Sequence, residues 1–227
     1  MLDFKVTTCA SDQGQLDNMA IRAKKLLEVD ELEALADKGY YNAKDLKKCL
    51  EKNITPYVPN QVHSNGTGDR DFYSDKFKYD NEKDIYLCPN MKELHKGKNR
   101  SEKGKIIGTE YKNKDACAMC ELRDRCTRSK NGRSIFRAID QDILDKINLM
   151  TELNNDKYRM RQMLVEHPFG TIKRTWGAYY FLTRGMASVT AEMAMSFLVY
   201  NFRRLITILG AKKMLQLLNE RHKPILA

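Results

Sequence analysis

The sequence has 227 residues, 42% hydrophobic and 31% charged, which is typical of a globular chain with room for one large core and an inserted module. Its net charge of +10 favours a polyanionic partner, nucleic acid before an anionic membrane, although a merely basic soluble protein has the same charge. The most apolar stretch, 186–209, contains Glu192, Arg203 and Arg204, which excludes a membrane span, and the first residues lack a signal peptide pattern. We therefore predict a cytosolic protein.

The first 59 residues alternate between patterns typical of strands and of helices. The predicted elements are, in chain order, a strand at 3–8, a helix from Gln13 to Leu27, a strand at 32–36, a helix at 43–52 and a strand at 54–58. Ser11 or Asp12 is the candidate N-cap of the first helix. Strands that alternate with helices indicate an α/β sheet.

The composition changes after Pro59, and residues 60–137 are predicted to be an inserted module with its own small core. Residues 60–71 are polar and read as a loop, and 72–87 suggest a hairpin around Asn81-Glu82. Residues 91–134 contain 13 Lys and Arg against 6 Asp and Glu, a net charge of +7. The predicted domain limits are thus 1–59, 60–137 and 138–227.

The last part of the chain is predicted to be helical. One helix begins near Gln141, and a second pattern runs from Tyr158 to His167, ending before Pro168. A long helix and a shorter one, separated near Gly210, cover 187–218.

Asp37 and Glu166 are candidate metal ligands for phosphoryl-transfer chemistry. Asp37 follows an apolar strand and precedes Lys38-Gly39, and Glu166 lies at the predicted helix end before Pro168. Two-metal phosphoryl transfer needs clustered carboxylates, and Mg²⁺ prefers hard oxygen ligands. The alternatives are a turn residue for Asp37 and a surface charge for Glu166.

Basic and aromatic residues surround Glu166. They are Tyr158, Arg159, Arg161, Lys173, Arg174 and Trp176. Basic side chains beside a metal site can hold the phosphates of a DNA strand, and aromatic rings can stack on unpaired bases. The alternative is a solvated helix face with Trp176 in the core.

Four cysteines of the insertion are candidate zinc ligands. Cys88, Cys117, Cys120 and Cys126 are separated by 28, 2 and 5 residues, and the C-x2-C pair can place two thiolates on one tetrahedral metal. Four reduced thiols in a small core are the alternative. Cys9 and Cys49 have no comparable spacing and are interpreted as ordinary buried residues.

Four segments together resemble insertion-sequence transposases of the DDE class. They are SDQGQL (11–16), LADKGYYNAKDL (35–46), ITPYVPN (54–60) and VEHPFGTIKRTWG (165–177). The nearest group is the bacterial branch with a tyrosine, arginine, glutamate, lysine signature, which carries similar cysteines in its insertion. The resemblance implies an RNase H-like mixed sheet with flanking helices, interrupted by a Cys-rich basic insertion. It also implies hydrolysis at transposon ends and strand transfer with Mg²⁺ (or Mn²⁺).

The resemblance assigns roles to individual residues. Asp37 would be the second catalytic aspartate and Glu166 the catalytic glutamate, both binding Mg²⁺. Tyr158, Arg161 and Lys173 would contact DNA at transposon ends and target, and Arg174 is a further candidate DNA contact because of its charge and position. Four residues separate Arg161 from Glu166 where the signature has three, so Gln162 stands at the expected arginine position.

The first catalytic aspartate of the family lies on a strand before the segment that resembles LDFKVTT, and we do not transfer its role to Asp3. We therefore expect the first strand to be missing, the chain to be N-terminally truncated, and catalysis to be absent from this chain alone. A non-catalytic DNA-binding regulator of transposition and a zinc-stabilised remnant without present function are the alternatives. The expected location is the bacterial cytoplasm, at the nucleoid when DNA is bound, and a homodimer is a possible assembly.

Overall fold

The computed structural model describes residues 1–60 and 62–221 as a mixture of helices and strands. The strands are β1 (Leu32–Leu35), β2 (Ile54–Tyr57), β3 (Lys78–Asp80), β4 (Ile85–Leu87), β5 (Glu93–Glu102), β6 (Lys105–Lys112) and β7 (Ser134–Ala138). The helices are α1 (Leu16–Leu27), α2 (Ala43–Glu51), α3 (Lys114–Ala118), α4 (Arg123–Cys126), α5 (Gln141–Leu153), α6 (Asn155–Arg161), α7 (His167–Gly170), α8 (Met186–Leu209) and α9 (Ala211–Arg221). This confirms the predicted mixed α/β class.

The first packed unit consists of β1, β2 and the helices α1, α2 and α5. β1 and β2 pair in parallel, with Leu32 opposite Ile54, because helix α2 connects them as a crossover. Asn42 caps α2, since its side-chain oxygen accepts hydrogen bonds from the backbone N–H groups of the next turn. Leu46 of α2 and Ile147 of α5 are fully buried in the resulting core. Burial of one such side chain stabilises the fold by about 1.5–3 kcal/mol.

These elements confirm much of the predicted organisation of the first 59 residues. The strands predicted at 32–36 and 54–58 and the helix predicted at 43–52 are β1, β2 and α2. The first helix begins at Leu16 rather than near Gln13, and its N-cap residue makes no side-chain capping bond. Ser11 instead accepts a hydrogen bond from the backbone of Gln13 in the preceding turn.

Five strands form a separate antiparallel sheet in the order β3-β4-β5-β6-β7. The hairpin predicted within 72–87 is confirmed by β3 and β4. The core of this sheet contains Phe77, Tyr86, Leu94, Tyr111 and Ile135. Asp84 accepts hydrogen bonds from two tyrosine hydroxyls and from Lys96, and these bonds, led by that of Lys96, lower the pKa of its carboxyl group.

The resemblance implied one mixed sheet, whereas the described residues form a parallel pair and a separate antiparallel sheet. The connections account for this difference, because short turns join β3 to β4, β4 to β5 and β5 to β6, whereas a helix joins β1 to β2. The domain limits at 59 and 137 stay predictions.

The strand predicted at 3–8 is wrong, because no strand forms there. The segment is anchored to α8 instead. The amino group of Met1 donates to Asn201 at 2.6 Å, and the ring of Phe4 meets that of Phe197 edge-on, with 4.9 Å between centroids. These contacts hold the segment at α8, and within the described part of the chain β1 pairs with β2 alone.

The C-terminal helices are confirmed as α8 and α9, which meet at Gly210. The helical pattern from Tyr158, however, continues past Pro168 to Thr175. Pro168 lies in α7, directly after the π-helical turn Gln162–Glu166, where the regular α-helical hydrogen-bond pattern is already interrupted. Across residues 1–60 and 62–221, no helix combines the length and apolarity that crossing a membrane requires.

Candidate functional site

Asp37 is held at the end of β1 by its own following turn. A single 3₁₀ turn, Lys38–Tyr40, begins directly after it, and the Asp37 carboxylate accepts the backbone N–H of Gly39 at 2.8 Å. The side chain is partly buried. Because β1 packs into the core of the first unit, this carboxylate has a well-defined position at the C-terminal end of a parallel strand, where α/β sheets commonly bind ligands.

Asp12 lies beside Asp37, although the sequence suggested only a capping role for it. A Cβ placed on Gly39 would be 3.0 Å from Asp37 Oδ1 and 3.5 Å from Asp12 Oδ2, so the two carboxylates flank the same point. Burial, followed by the charges of Asp12 and Asp37, raises the pKa of the Tyr40 hydroxyl. No local pattern marks Asp12, because the proximity arises only when α1 packs on the strand pair.

Glu166 lies inside a continuous helical run rather than at a helix end. It is the last residue of a π-helical turn, Gln162–Glu166, between α6 and α7. Its carboxylate is 3.4 Å from a guanidinium nitrogen of Arg161, and the side chains of Arg161 and Glu166 are 16% and 59% exposed. Glu166 therefore faces solvent, and Arg161 contacts it from a more buried position.

The π-helical turn determines which residue contacts Glu166, five positions after Arg161. An α-helix brings residues i and i+4 together, whereas a π turn is one residue wider and brings i and i+5 together. Arg161 and Glu166 are five positions apart, so the turn places Arg161, and not Gln162, against the carboxylate. The π-helical turn thus compensates for the one additional residue between Arg161 and Glu166.

Arg161 also connects Glu166 to Tyr158. Its guanidinium lies 5.7 Å from the centre of the Tyr158 ring, and its Nε is buried without a hydrogen-bond partner in the described part of the protein. Tyr158 borders a cavity of about 370 Å³ together with Pro59 and Asn60. The structure therefore brings three of the predicted site residues, Tyr158, Arg161 and Glu166, into one group.

Lys173 and Arg174 are exposed in a second π-helical turn, Thr171–Thr175. The ammonium group of Lys173 lies 5.9 Å from the centre of the Phe169 ring, and neither basic side chain forms an ion pair with any described residue. Trp176 is half-buried and packs against Ile172 and Tyr200, in agreement with the alternative that placed it in the core.

Residues near Asp37 and residues near Glu166 line the same cleft, which has a volume of about 780 Å³. Leu35 and Tyr40 border it on one side, and Leu164 and Val165 border it on the other. These residues are close in sequence to Asp37 and Glu166, but the structure shows no direct contact between the two carboxylates. Across 1–60 and 62–221, no group of three or more His, Cys, Asp or Glu is arranged to hold a metal ion.

The four cysteines of the insertion line a single small cavity of about 30 Å³ as free thiols. The backbone N–H of Lys92 donates to Cys88 Sγ at 3.3 Å, and the Asn90 amide donates to Cys120 Sγ at 3.5 Å. Burial, with the neighbouring thiols of the other three cysteines as smaller causes, raises the pKa of Cys126 to about 11. The structure thus brings together all four predicted zinc ligands, although not in a geometry suited to a metal. Of the other two cysteines, Cys49 is buried as expected, but Cys9 is exposed.

A family model described as transposase DDE domain matches residues 87–206, which is 120 of the 227 residues. The matched segment includes most of the antiparallel sheet, the cysteine cluster and the helical run with Glu166. Comparison with curated proteins finds no match, and neither does comparison with solved structures.

Proposed function

The chain belongs to the family of transposase DDE domains, and from this premise we propose that it acts in DNA transposition by metal-dependent hydrolysis and transfer of DNA strands. The family implies a DNA substrate and divalent cations such as Mg²⁺. The observation that carries the proposal is the family match over 87–206, which contains Glu166 and its contact with Arg161. An RNase H-like core and membership of the bacterial insertion-sequence branch are part of the same proposal.

The proposed metal ligands are Asp37 and Glu166. Carboxylate oxygens have the hard donor chemistry that Mg²⁺ and Mn²⁺ prefer, and Asp12 Oδ2 lies near the same point as Asp37 Oδ1, since a Cβ on Gly39 would be 3.5 Å from the first and 3.0 Å from the second. A bound cation would activate water or a 3′-hydroxyl and neutralise charge on the phosphate. We propose that the chain alone does not cleave DNA, because the family resemblance assigns only two of three carboxylates to this sequence.

The remaining residues of the site are proposed to contact the DNA or to position the Glu166 carboxylate. Lys173 and Arg174 are exposed and without ion-pair partners in the described structure, so both can contact phosphates. Arg161 acts as a positioning residue, because its contact restricts the Glu166 carboxylate. Tyr158, which lies against Arg161, is proposed to contact the DNA strand beside this pair.

Mn²⁺ binding to the purified chain, followed by the paramagnetic resonance of free Mn²⁺, tests the ligand assignment. We expect Asp37→Asn and Glu166→Gln each to weaken binding at least about tenfold, or ~1.4 kcal/mol. Asp30→Asn, which changes an exposed carboxylate, should leave it unchanged. Equal binding by all variants would refute the assignment of the two ligands.

Nicking of a supercoiled plasmid in Mg²⁺ tests the proposed inactivity of the chain alone. We expect no product above that of the Asp37→Asn variant. Nicking that Asp37→Asn abolishes would show that this chain is catalytically competent, and it would overturn the inactivity while supporting the role of Asp37.

A non-catalytic DNA-binding regulator is the second candidate, and the exposed, unpaired Lys173 and Arg174 favour it. This function requires affinity for DNA without a metal ion. Binding of labelled duplexes in EDTA, with and without Lys173→Gln, tests this candidate. A regulator keeps full affinity in EDTA, whereas loss of binding in EDTA contradicts that role.

We also propose that the four cysteines bind a structural Zn²⁺, a role supported by their shared cavity and by their number and softness as ligands. Their arrangement is not that of a metal-binding group, so the proposal depends on metal analysis. A zinc-to-protein ratio near one, lost in Cys120→Ser, supports the site, and a ratio near zero in freshly purified protein contradicts it. A zinc-stabilised remnant would contain this metal but bind no DNA.

A further inference from the structure

Strands β5 and β6 form a hairpin whose outer half extends beyond the rest of the sheet. β4 pairs with β5 only at Glu93 and Leu94, and β7 pairs with β6 only from Gly108 to Lys112. Residues 98–107, here called the basic ribbon, therefore form a two-stranded projection. Five residues of an antiparallel strand span about 17 Å.

The tip of the basic ribbon is a tight turn. Lys103 and Gly104 both have positive φ, 49° and 77°, the signature of a two-residue type I′ hairpin turn. Glu102 pairs with Lys105 across it. This turn matches the right-handed twist of the strands, and the pairing of the two strands is irregular between Arg100 and Ser101.

The basic ribbon carries a positive charge that the protein leaves uncompensated. It contains Lys98, Arg100, Lys103 and Lys105 against one acidic residue, Glu102. Arg100 is paired with Glu110 at 2.7 Å and lies over the Phe136 ring at 5.2 Å, which fixes its position. The three lysines are exposed, and their ammonium groups form no ion pair or hydrogen bond with the described residues. Such a surface suits a polyanion.

We propose that the basic ribbon inserts into a groove of duplex DNA and contacts its phosphates, as a DNA-binding surface separate from the carboxylate site. This inference rests on the proposed function, which makes DNA the partner of the protein. The major groove is about 12 Å wide and 8.5 Å deep and admits a two-stranded β-ribbon, and the ribbon is long enough to reach its floor. Lysines on both strands match the two rows of phosphates that border a groove.

Two other partners fit the ribbon less well. A membrane surface would need apolar side chains to insert, and Ile106 is the one large apolar residue that the ribbon exposes strongly. An acidic protein would need a complementary rigid surface, whereas DNA offers evenly spaced charges at any position along its length. Asn99 and Ser101 add neutral polar groups that can hydrogen-bond to phosphates or base edges.

Fluorescence anisotropy of a labelled 25-base-pair duplex, recorded across a salt series in EDTA, tests the proposal on the full chain. The ribbon variant replaces Lys98, Lys103 and Lys105 with Gln. The control variant replaces Lys25, Lys44 and Lys52 with Gln, which removes the same charge from exposed positions of the first unit. Melting temperatures verify that both variants fold.

We expect the ribbon variant to bind at least about tenfold more weakly at moderate salt. The slope of log K against log salt should fall by about 2–3, because each lost phosphate contact removes ~0.9. The control variant should keep nearly the original slope. Equal losses in the two variants would overturn the ribbon as a specific surface but leave the proposed function intact.

Competition identifies the partner. Unlabelled duplex DNA should displace the probe, while polyglutamate at the same charge concentration should displace little. Stronger ribbon-dependent binding to polyglutamate or to duplex RNA than to DNA would overturn the choice of DNA. If the unsubstituted chain binds no DNA at all, the proposed function fails together with the ribbon.

Discussion

Asp37 and Glu166 lie on two segments that are held in place in different ways. Asp37 follows strand β1, which packs beside the buried residues Ile54 and Val58. The backbone N–H of Gly39 donates a hydrogen bond to the Asp37 carboxylate. Glu166 lies on a helical run whose apolar side chains are largely exposed, and its carboxylate forms an ion pair with Arg161. The first carboxylate is therefore positioned by a core, and the second by a single ion pair and a π-helical turn.

The largest expected difference concerns truncation of one leucine in the first packed unit, which holds Asp37, and of one leucine in the helical run that contains Glu166. Leu46→Ala, at a position that is 0% exposed, should lower the free energy of unfolding by about 2–5 kcal/mol. Leu164→Ala, at a position that is 60% exposed, should change it by no more than about 0.5 kcal/mol. Urea titrations of the two variants measure both values. An equally large loss for Leu164→Ala would mean that this side chain is covered in solution, as it would be at an interface between two copies of the chain.

The next effect tests whether the π-helical turn contains one surplus residue. Deleting Gln162 should cost less than about 1 kcal/mol, because Arg161 and Glu166 remain neighbours at i and i+4 of an α-helix. Deleting exposed Lys146 from α5 should cost on the order of 2–4 kcal/mol, because it rotates Leu144 and Ile147 onto different faces. Thermal unfolding compares the two, and equal losses would show that the turn has no spare residue.

A smaller effect should distinguish the carboxylates themselves. Asp37→Ala removes the acceptor of the Gly39 N–H and should cost about 1 kcal/mol. Glu166→Ala removes an exposed ion pair at 3.4 Å and should cost no more than about 0.5 kcal/mol. Chemical denaturation measures both values. A larger cost for Glu166→Ala would show that its segment is more rigid than its exposure indicates.

The smallest effect concerns pH and the buried Asp45 of the first unit. Burial, followed by the charge of Asp17, raises the pKa of the Asp45 carboxyl group, and its Oδ2 has no hydrogen-bond partner in the described structure. A raised folded-state pKa means that ionisation weakens the fold as pH rises through that pKa. Asp45→Asn should therefore raise the melting temperature at pH 7, with a gain that shrinks as pH falls towards about 4.

Exposed Asp30 provides the control, since Asp30→Asn should leave the melting temperature unchanged at every pH. If Asp45→Asn lowers the melting temperature at pH 7, the bonds that the ionised carboxyl accepts outweigh its burial. The same pH series measured on Asp37→Asn would show whether the site carboxylate behaves like the buried one.

Local patterns were sufficient for most elements and for part of the candidate site. Apolar spacing predicted β1, β2, α2, α5 and α8, because each buries a face whose period is visible in the sequence. Such patterns do not show against which other element a segment will pack. That is why residues 3–8, which look like a strand, lie against α8 instead.

The sequence by itself determined the membership in a transposase family, and it predicted two carboxylates and four cysteines as candidate ligands, because these are properties of residue type and spacing. Tertiary structure alone decided that Asp12 approaches Asp37, that a π-helical turn matches Arg161 to Glu166, and that three lysines project on a two-stranded ribbon. The physical reason is that a side chain's environment depends on segments distant in sequence. Their packing and their backbone hydrogen bonds are settled by the whole fold.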